Sequence, residues 1–293
     1  MTVQLWSSSG STAEGPVLLT RAEAVLCDMD GTLVDSSAVV ESMWSSFARD
    51  HGMSERFDEI MAYSPGRTGL DTVRRFLPEL AAKEQDAIYE RFAREEIVRT
   101  AGRMAEIPGA ATLVTTLINT CAPLALVTSA PMELMRTRME EAGVPIPSIV
   151  VSADDVERGK PAPDAYLKAA ELLGIPIASC LVLEDATSGY TAARRAGAQV
   201  LLVGTGAPEA DPSTPRIADF TGITVTIDEA LAQVLLRGKG YRVARSCGRH
   251  SPGPSRTPLR TRGLPHRTSC RCLDAIGWEV GALHGGSCSA DSP

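Results

Sequence analysis

Asp28 and Asp30 are separated by one residue and followed at once by Gly31 and Thr32. In extended backbone, residues two apart face the same side, so both carboxylates point together while Cys27 and Met29 turn toward the packing layers. A second acidic pair, Glu184-Asp185, lies far along the chain, with Thr128-Ser129 and Lys160-Pro161 between. Carboxylates gathered in this number repel one another, and the cluster makes best sense around a hard divalent cation. Mg2+ suits oxygen ligands that leave room for a substrate phosphate. Lys160 would balance the remaining charge and bind a phosphate oxygen. Thr128 would supply a hydroxyl, and the amides around Ser129 and Ala130 would hold another oxygen at the start of the following helix.

Such residues need elements that bring them to one place. Short runs rich in Val, Ile and Leu occur at 24–27, 124–127, 149–151, 181–183 and 200–203, each too short for a helix and suited to a buried strand. The helical stretches between them close at Gly143, Gly174 and Gly197, where a left-handed C-terminal residue costs least. Strand, helix, glycine, strand is the rhythm of a parallel α/β sheet. Function in such sheets gathers at the carboxyl ends of the strands. The four polar clusters all fall there or in the loop beyond, so the expected fold is a Rossmann-like parallel sheet.

The interval 36–106 breaks the rhythm. It has helical patterns at 39–51, 71–80 and 83–103 but no comparable buried strand, and reads as an inserted helical cap carried on two linkers over the strand ends. The domain reading is therefore a flexible leader at 1–23, a catalytic core at 24–35 and 107–236, the cap at 36–106, and a basic, disordered tail at 237–293. The leader is rich in Ser, Gly and Thr, and order is expected to begin near Ala24.

Composition narrows the class. The chain has 293 residues, 44% of them hydrophobic, which is enough for a full core. Its net charge of −7 conceals a split: residues 1–236 carry 19 of the 29 Lys and Arg and 33 of the 36 Asp and Glu, or −14, while 237–293 carry +7. An acidic body argues against a nucleic acid substrate, which demands clustered cations. No run approaches the roughly 18 apolar residues of a membrane span, and the N-terminus lacks the pattern of a signal peptide. Seven unevenly spread cysteines argue for reduced thiols and a cytoplasmic setting. In the tail, Cys247, His250, His266, Cys270 and Cys272 suggest a zinc module, but Cys270-x-Cys272 lacks the usual two-residue gap, and disorder is the preferred reading.

Asp28-Met29-Asp30-Gly31-Thr32-Leu33-Val34-Asp35-Ser36, then Thr128, then Lys160-Pro161-Ala162-Pro163-Asp164, then Glu184-Asp185, resembles the four ordered motifs of the haloacid dehalogenase superfamily. The resemblance covers about 24–236, and its early helical insertion is similar to the cap of the β-phosphoglucomutase-like and sugar-phosphatase branch. Residues 36–53 and 66–77 look closest to phosphatases of the 2-deoxyglucose-6-phosphatase type. The resemblance implies that Asp28 attacks phosphorus to form an aspartyl phosphate, and that Asp30 protonates the leaving alkoxide and then activates water. It also implies Mg2+ held by Asp28, the Asp30 carbonyl and Asp185, with Glu184 a direct or water-mediated fourth. Thr32 would hold Asp30 or the turn beyond it. Dehalogenation is disfavoured, since it needs neither the second aspartate nor the metal.

Each residue also has a plainer reading. Asp-x-Asp-Gly-Thr occurs in tight turns and calcium loops, Glu184-Asp185 and Thr128-Ser129 could cap helices, and a lysine before proline is commonly a solvated loop residue. Cys27 reads as a core thiol. In the cap, Arg67 within Pro65-Gly66-Arg67-Thr68 is the candidate to meet the substrate, while His51 reads as ending or following the first cap helix. The expected partner is a small phosphorylated sugar or polyol, with neither nucleic acid nor membrane, and the chain is read as a monomer. A phosphomutase is the nearest alternative. The resembling mutases carry a His in the first cap helix where counting from Asp28 reaches Val40, and Val cannot supply a proton or hydrogen bond. A non-catalytic binding module on the same fold is the third reading.

Overall fold

The computed structural model describes residues 1–7 and 17–228. In chain order its elements are β1 (Thr2–Ser7), β2 (Val17–Ala22), β3 (Ala24–Cys27), β4 (Val34–Asp35), α1 (Ser37–Asp50), α2 (Phe57–Tyr63), α3 (Gly69–Phe76), α4 (Ala82–Thr100) and β5 (Ala105–Glu106). Then follow α5 (Ala110–Asn119), β6 (Leu124–Val127), α6 (Met132–Glu141), β7 (Ile149–Val151), α7 (Asp164–Leu173), β8 (Cys180–Glu184), α8 (Thr187–Ala196), β9 (Gln199–Val203), β10 (Arg216–Ile217) and β11 (Ile223–Asp228).

The centre is a six-stranded sheet in the order β10-β9-β8-β3-β6-β7, with every pairing parallel. All four residues of β3 are buried, as expected of a central strand covered on both faces. Alternation sorts them. Val25 and Cys27 join Leu113, Leu117 and Met135 of α5 and α6 on one face, while Ala24 and Leu26 join Tyr166, Ala169 and Ala193 of α7 and α8 on the other. Two of the helices end at Gly174 and Gly197, in the left-handed conformation that the sequence pattern anticipates.

The helices α1 to α4 build a core of their own from Met43, Trp44, Phe47, Ile60, Phe76 and Phe92. The rings of Trp44 and Phe92 lie 4.5 Å apart, and Phe47 meets Trp44 edge-on at 5.3 Å, an arrangement that favours packing beyond area burial alone. β4 and β5 flank this unit and pair antiparallel, Val34 with Glu106 and Asp35 with Ala105, so the chain leaves and re-enters the core along one short ribbon. The helix α2 carries no clear pattern in the sequence.

The expectation of a flexible leader at 1–23 is corrected for the residues described. β1 pairs antiparallel with β11 on one side and β2 on the other, and Val3 and Leu5 are fully buried in the core layer that also holds Ala22. The alternation Val3-Gln4-Leu5 is too brief to stand out, and the strand it needs begins more than 200 residues later, so nothing local announces it. Residues 8–16 of that leader, the end of the expected core at 229–236, and the whole of 237–293 with its cysteines and histidines lie outside the described residues. Leu5→Ala should lower the unfolding free energy by about 2–5 kcal/mol, as for other buried leucines. Equilibrium urea denaturation checks this, and an unchanged midpoint would show that β1 adds nothing to the core.

Candidate functional site

The carboxyl edge of the sheet brings the sequence clusters together. Asp28 follows β3 directly, Thr128 and Ser129 follow β6, and Glu184 ends β8 with Asp185 beside it. Lys160 reaches them from the loop after β7. Its ammonium donates to Asp28 Oδ1 at 2.5 Å, to Glu184 Oε1 at 2.7 Å and to the Val127 carbonyl at 3.1 Å, with 1% of the side chain exposed. Glu184 is equally enclosed. Oε1 also accepts from the Tyr166 hydroxyl at 2.6 Å, and Oε2 accepts from the amides of Asp185 and Ala186.

The glycines of this edge mark where backbone approaches carboxylate. Gly31 has φ +78°, and a Cβ there would come within 2.1 Å of Asp185 Oδ2, so a side chain is excluded by both conformation and space. A Cβ at Gly189 would meet Glu184 Oε1 at 1.6 Å. Thr32 Oγ1 donates to Asp185 Oδ1 at 3.2 Å, which corrects the expectation that it holds Asp30 or the turn beyond. It fixes the other carboxylate because the turn through Gly31 swings Thr32 toward β8's end.

One ammonium faces three carboxylates. Ligand oxygens of Asp28, Glu184 and Asp185 lie within 4.8 Å of one another. Burial pushes the Asp28 carboxyl up to about 7, with Lys160 pulling it down and Glu184 pushing it further up. Burial also raises Asp185 well above the ordinary carboxylate range, reinforced by Glu184 and Asp28. Lys160 is raised as well, for the opposite reason: burial would lower its value, but Asp28 and Glu184 outweigh that. The surplus of buried negative charge and the all-oxygen donor set fit a hard divalent cation such as Mg2+. The side chain of Asp30 stands apart from this cluster and is held by Arg138 instead.

A cavity of about 300 Å3 opens above the edge, between core and cap. Asp28, Asp30, Thr128, Ser129 and Asp185 line its floor, and Val40, Trp44, Tyr89 and Phe92 belong to the cap wall. Thr128 is buried and its hydroxyl accepts from the Ala130 amide at 3.1 Å. Ser129 donates its hydroxyl to the Gly66 carbonyl of the cap at 2.8 Å, so that hydroxyl spans the seam. Ser188 does the same to Pro65, at 2.6 Å. Arg67, also lining the cavity, donates Nε–H to the Tyr63 carbonyl at 3.1 Å, and its guanidinium lies 4.2 Å from the Tyr63 ring centroid.

Sequence reasoning missed Arg138, Glu96 and Tyr166. Arg138 donates to Asp30 Oδ2 at 2.8 Å and to Glu96 Oε1 at 2.5 Å. A signal for it existed: Leu134, Met135, Arg138 and Met139 repeat at helical spacing, placing an arginine on the buried stripe of α6. Tyr166 likewise sits on the buried stripe of α7 with Ala165, Ala169 and Ala170. Glu96 carries no comparable mark, being one acid in a strongly charged helix.

The profile of the haloacid dehalogenase-like hydrolases matches residues 22–197. Hexitol phosphatase A of Escherichia coli (strain K12) is 39% identical to this chain over 209 residues, covering 71% of it and 93% of the relative. Glycerol-1-phosphate phosphohydrolase 2 of Saccharomyces cerevisiae is 28% identical over 195 residues, covering 63% of this chain and 76% of the relative. Among solved structures, a HAD hydrolase of family IA, variant 3, from Entamoeba histolytica superposes with a TM-score of 0.59 at 25% identity, over 69% of this chain and 95% of its own. This chain belongs to the haloacid dehalogenase-like hydrolase family and is an enzyme. Among the described residues, no helix is long and apolar enough to cross a membrane.

Tyr166→Phe removes the hydroxyl that Glu184 accepts and leaves the ring in place. The variant should lose about 1.5–3 kcal/mol of stability, the usual worth of a hydrogen bond to a charged group. Chemical denaturation at neutral pH measures it, and wild-type stability would show that Glu184 does not depend on that contact.

Proposed function

We propose that this hydrolase is a Mg2+-dependent phosphatase of a small sugar or polyol phosphate, acting through an aspartyl phosphate on Asp28. The observation that carries this reading is the floor of the cavity, where Asp28 follows the central strand, is backed by buried Lys160, and shares the space with Asp30. An Asp28 oxygen would attack phosphorus while the ester P–O bond breaks and the departing alkoxide takes a proton from Asp30. Asp30 would then take a proton from water as that water attacks phosphorus, breaking the acyl phosphate bond and releasing inorganic phosphate with Asp28 restored. Lys160 offsets the negative charge that Asp28 must approach. Thr128 would contribute to the phosphate pocket, together with backbone near Ser129.

Asp28, the Asp30 carbonyl and Asp185 would hold Mg2+, and Glu184, with both oxygens already engaged, adds negative charge behind them. When bound, the ion would offset phosphate charge and orient the ester for attack. The substrate class rests on the cap wall and on the relatives. A cavity of this size takes one small molecule, and its wall mixes aromatic faces with the polar groups of Ser64, Arg67 and Glu41, a combination suited to a polyhydroxylated carbon chain. The names hexitol phosphatase and glycerol-1-phosphate phosphohydrolase support the same class. Val40 lines the cavity with a side chain that can neither donate nor accept a proton, which favours hydrolysis over the mutase reading.

Phosphate release from a panel of hexitol, hexose and glycerol phosphates should require Mg2+ and disappear on chelation. Asp28→Asn should lower kcat by about 1000-fold or more while leaving the fold intact, because the nucleophile itself is lost. Full activity in that variant would sink the covalent mechanism. Interconversion of sugar phosphate isomers without phosphate release would establish the mutase instead, and silence in both assays would overturn the sugar- or polyol-phosphate reading.

A further inference from the structure

Arg138 lies on the buried stripe of α6, and only 3% of its side chain is exposed. A guanidinium survives there only if its charge and donors are matched. They are matched from two sides of the seam. Nη1 donates to Asp30 on the loop after β3, and Nη2 donates to Glu96 on α4, the last helix of the cap. Burial of Glu96 raises its carboxyl, with Arg138 opposing that rise, and the two carboxylates keep the guanidinium charged.

We propose that Arg138 and Glu96 are positioning residues for the reaction: the planar fork of Arg138, oriented by Glu96 of the cap, aims the Asp30 carboxylate for proton transfer. This rests on the reading of Asp30 as the group that exchanges the proton. Two buried atoms support a positioning role over a purely structural one. Arg138 Nε has no hydrogen-bond partner among the described residues, so the two carboxylates alone orient the fork. Asp30 Oδ1 likewise has none, so one oxygen of that carboxylate is held by Arg138 while the other remains uncommitted. Because a guanidinium fixes its donors in one plane, moving Glu96 would turn Nη1 away from Asp30. The cap would keep its other ties to the core, through Ser129 to Gly66 and Ser188 to Pro65, so the loss of Glu96 acts first on Asp30.

The test compares Arg138→Lys, which keeps the charge but replaces the fork with a single nitrogen, and Glu96→Ala, which removes the cap-side anchor. Each is assayed in the full chain with Mg2+ and the hexitol or glycerol phosphate that wild type turns over fastest. Misalignment of a proton-transferring group should lower kcat about 10- to 100-fold in both variants while KM stays within about threefold. In an Asp30→Asn background, Glu96→Ala should change kcat by less than about twofold, since its effect passes through Asp30. Should Arg138→Lys not fold, by circular dichroism, Glu96→Ala and the isosteric Glu96→Gln carry the comparison. Wild-type kcat in the Glu96 variants, a loss confined to KM, or losses that multiply in the Asp30→Asn background would overturn the proposal. An active wild type with an indifferent Glu96→Ala defeats the positioning role alone, whereas a wild type inactive on every ester defeats the phosphatase reading and this inference with it.

Discussion

Lys160 carries its charge at a place where almost none of it reaches solvent, and much of the site follows from that. A buried ammonium is tolerable only with anionic partners in contact, and Asp28 and Glu184 supply them at 2.5 and 2.7 Å. Glu184 in turn is held by Tyr166 and by two backbone amides, so it is not free to move away. Asp185 adds a further buried carboxylate, whose proton affinity is raised by burial first and then by Glu184 and Asp28, against the opposing pull of Thr32 and Lys160. The same burial that locks the lysine gathers three carboxylates whose oxygens lie within 4.8 Å of one another.

Those partners meet because the sheet is parallel. β3, β6 and β8 run side by side in one direction, and therefore deliver Asp28, Thr128 and Glu184 to a common edge although more than 150 residues separate the first from the last. Burial on both faces of β3 gives the nucleophile candidate a rigid base. The three-stranded sheet of β2, β1 and β11 packs on one of the two core layers, contributing buried Val3, Leu5 and Ala22 with Ile223, Val225 and Ile227 against them.

The cap supplies the other half of the cavity from a separate core. Its seam with the sheet is drawn together by hydrogen bonds from Ser129 and Ser188 to the Pro65-Gly66 turn, and by Arg138 between Asp30 and Glu96. The carboxylates and Lys160 thus sit at the edge of the sheet, while the aromatic and polar wall above them belongs to the cap.

The strands at the centre of the sheet were legible because each is a short, continuous apolar run, and the polar groups after them stood out by contrast. Asp28, Asp30, Lys160, Glu184 and Asp185 stood out as candidates because each follows a buried strand or lies in its loop, although each alone also reads as a turn, cap or loop residue; the structure brings Asp28, Lys160, Glu184 and Asp185 together at one edge. β1 and β11 were not legible, since two alternating residues acquire meaning only when a partner strand from the far end of the fold lies beside them. Neither were the contacts of Arg138. Its position on a buried helical stripe was visible, but which carboxylates meet it depends on where α4 crosses α6. Residue type and period along the chain determined the strands and their chemical cargo. Only packing between distant elements decided how the cargo is paired, because a buried charge takes its partners from whatever the fold brings within about 3 Å, and no local pattern encodes that distance.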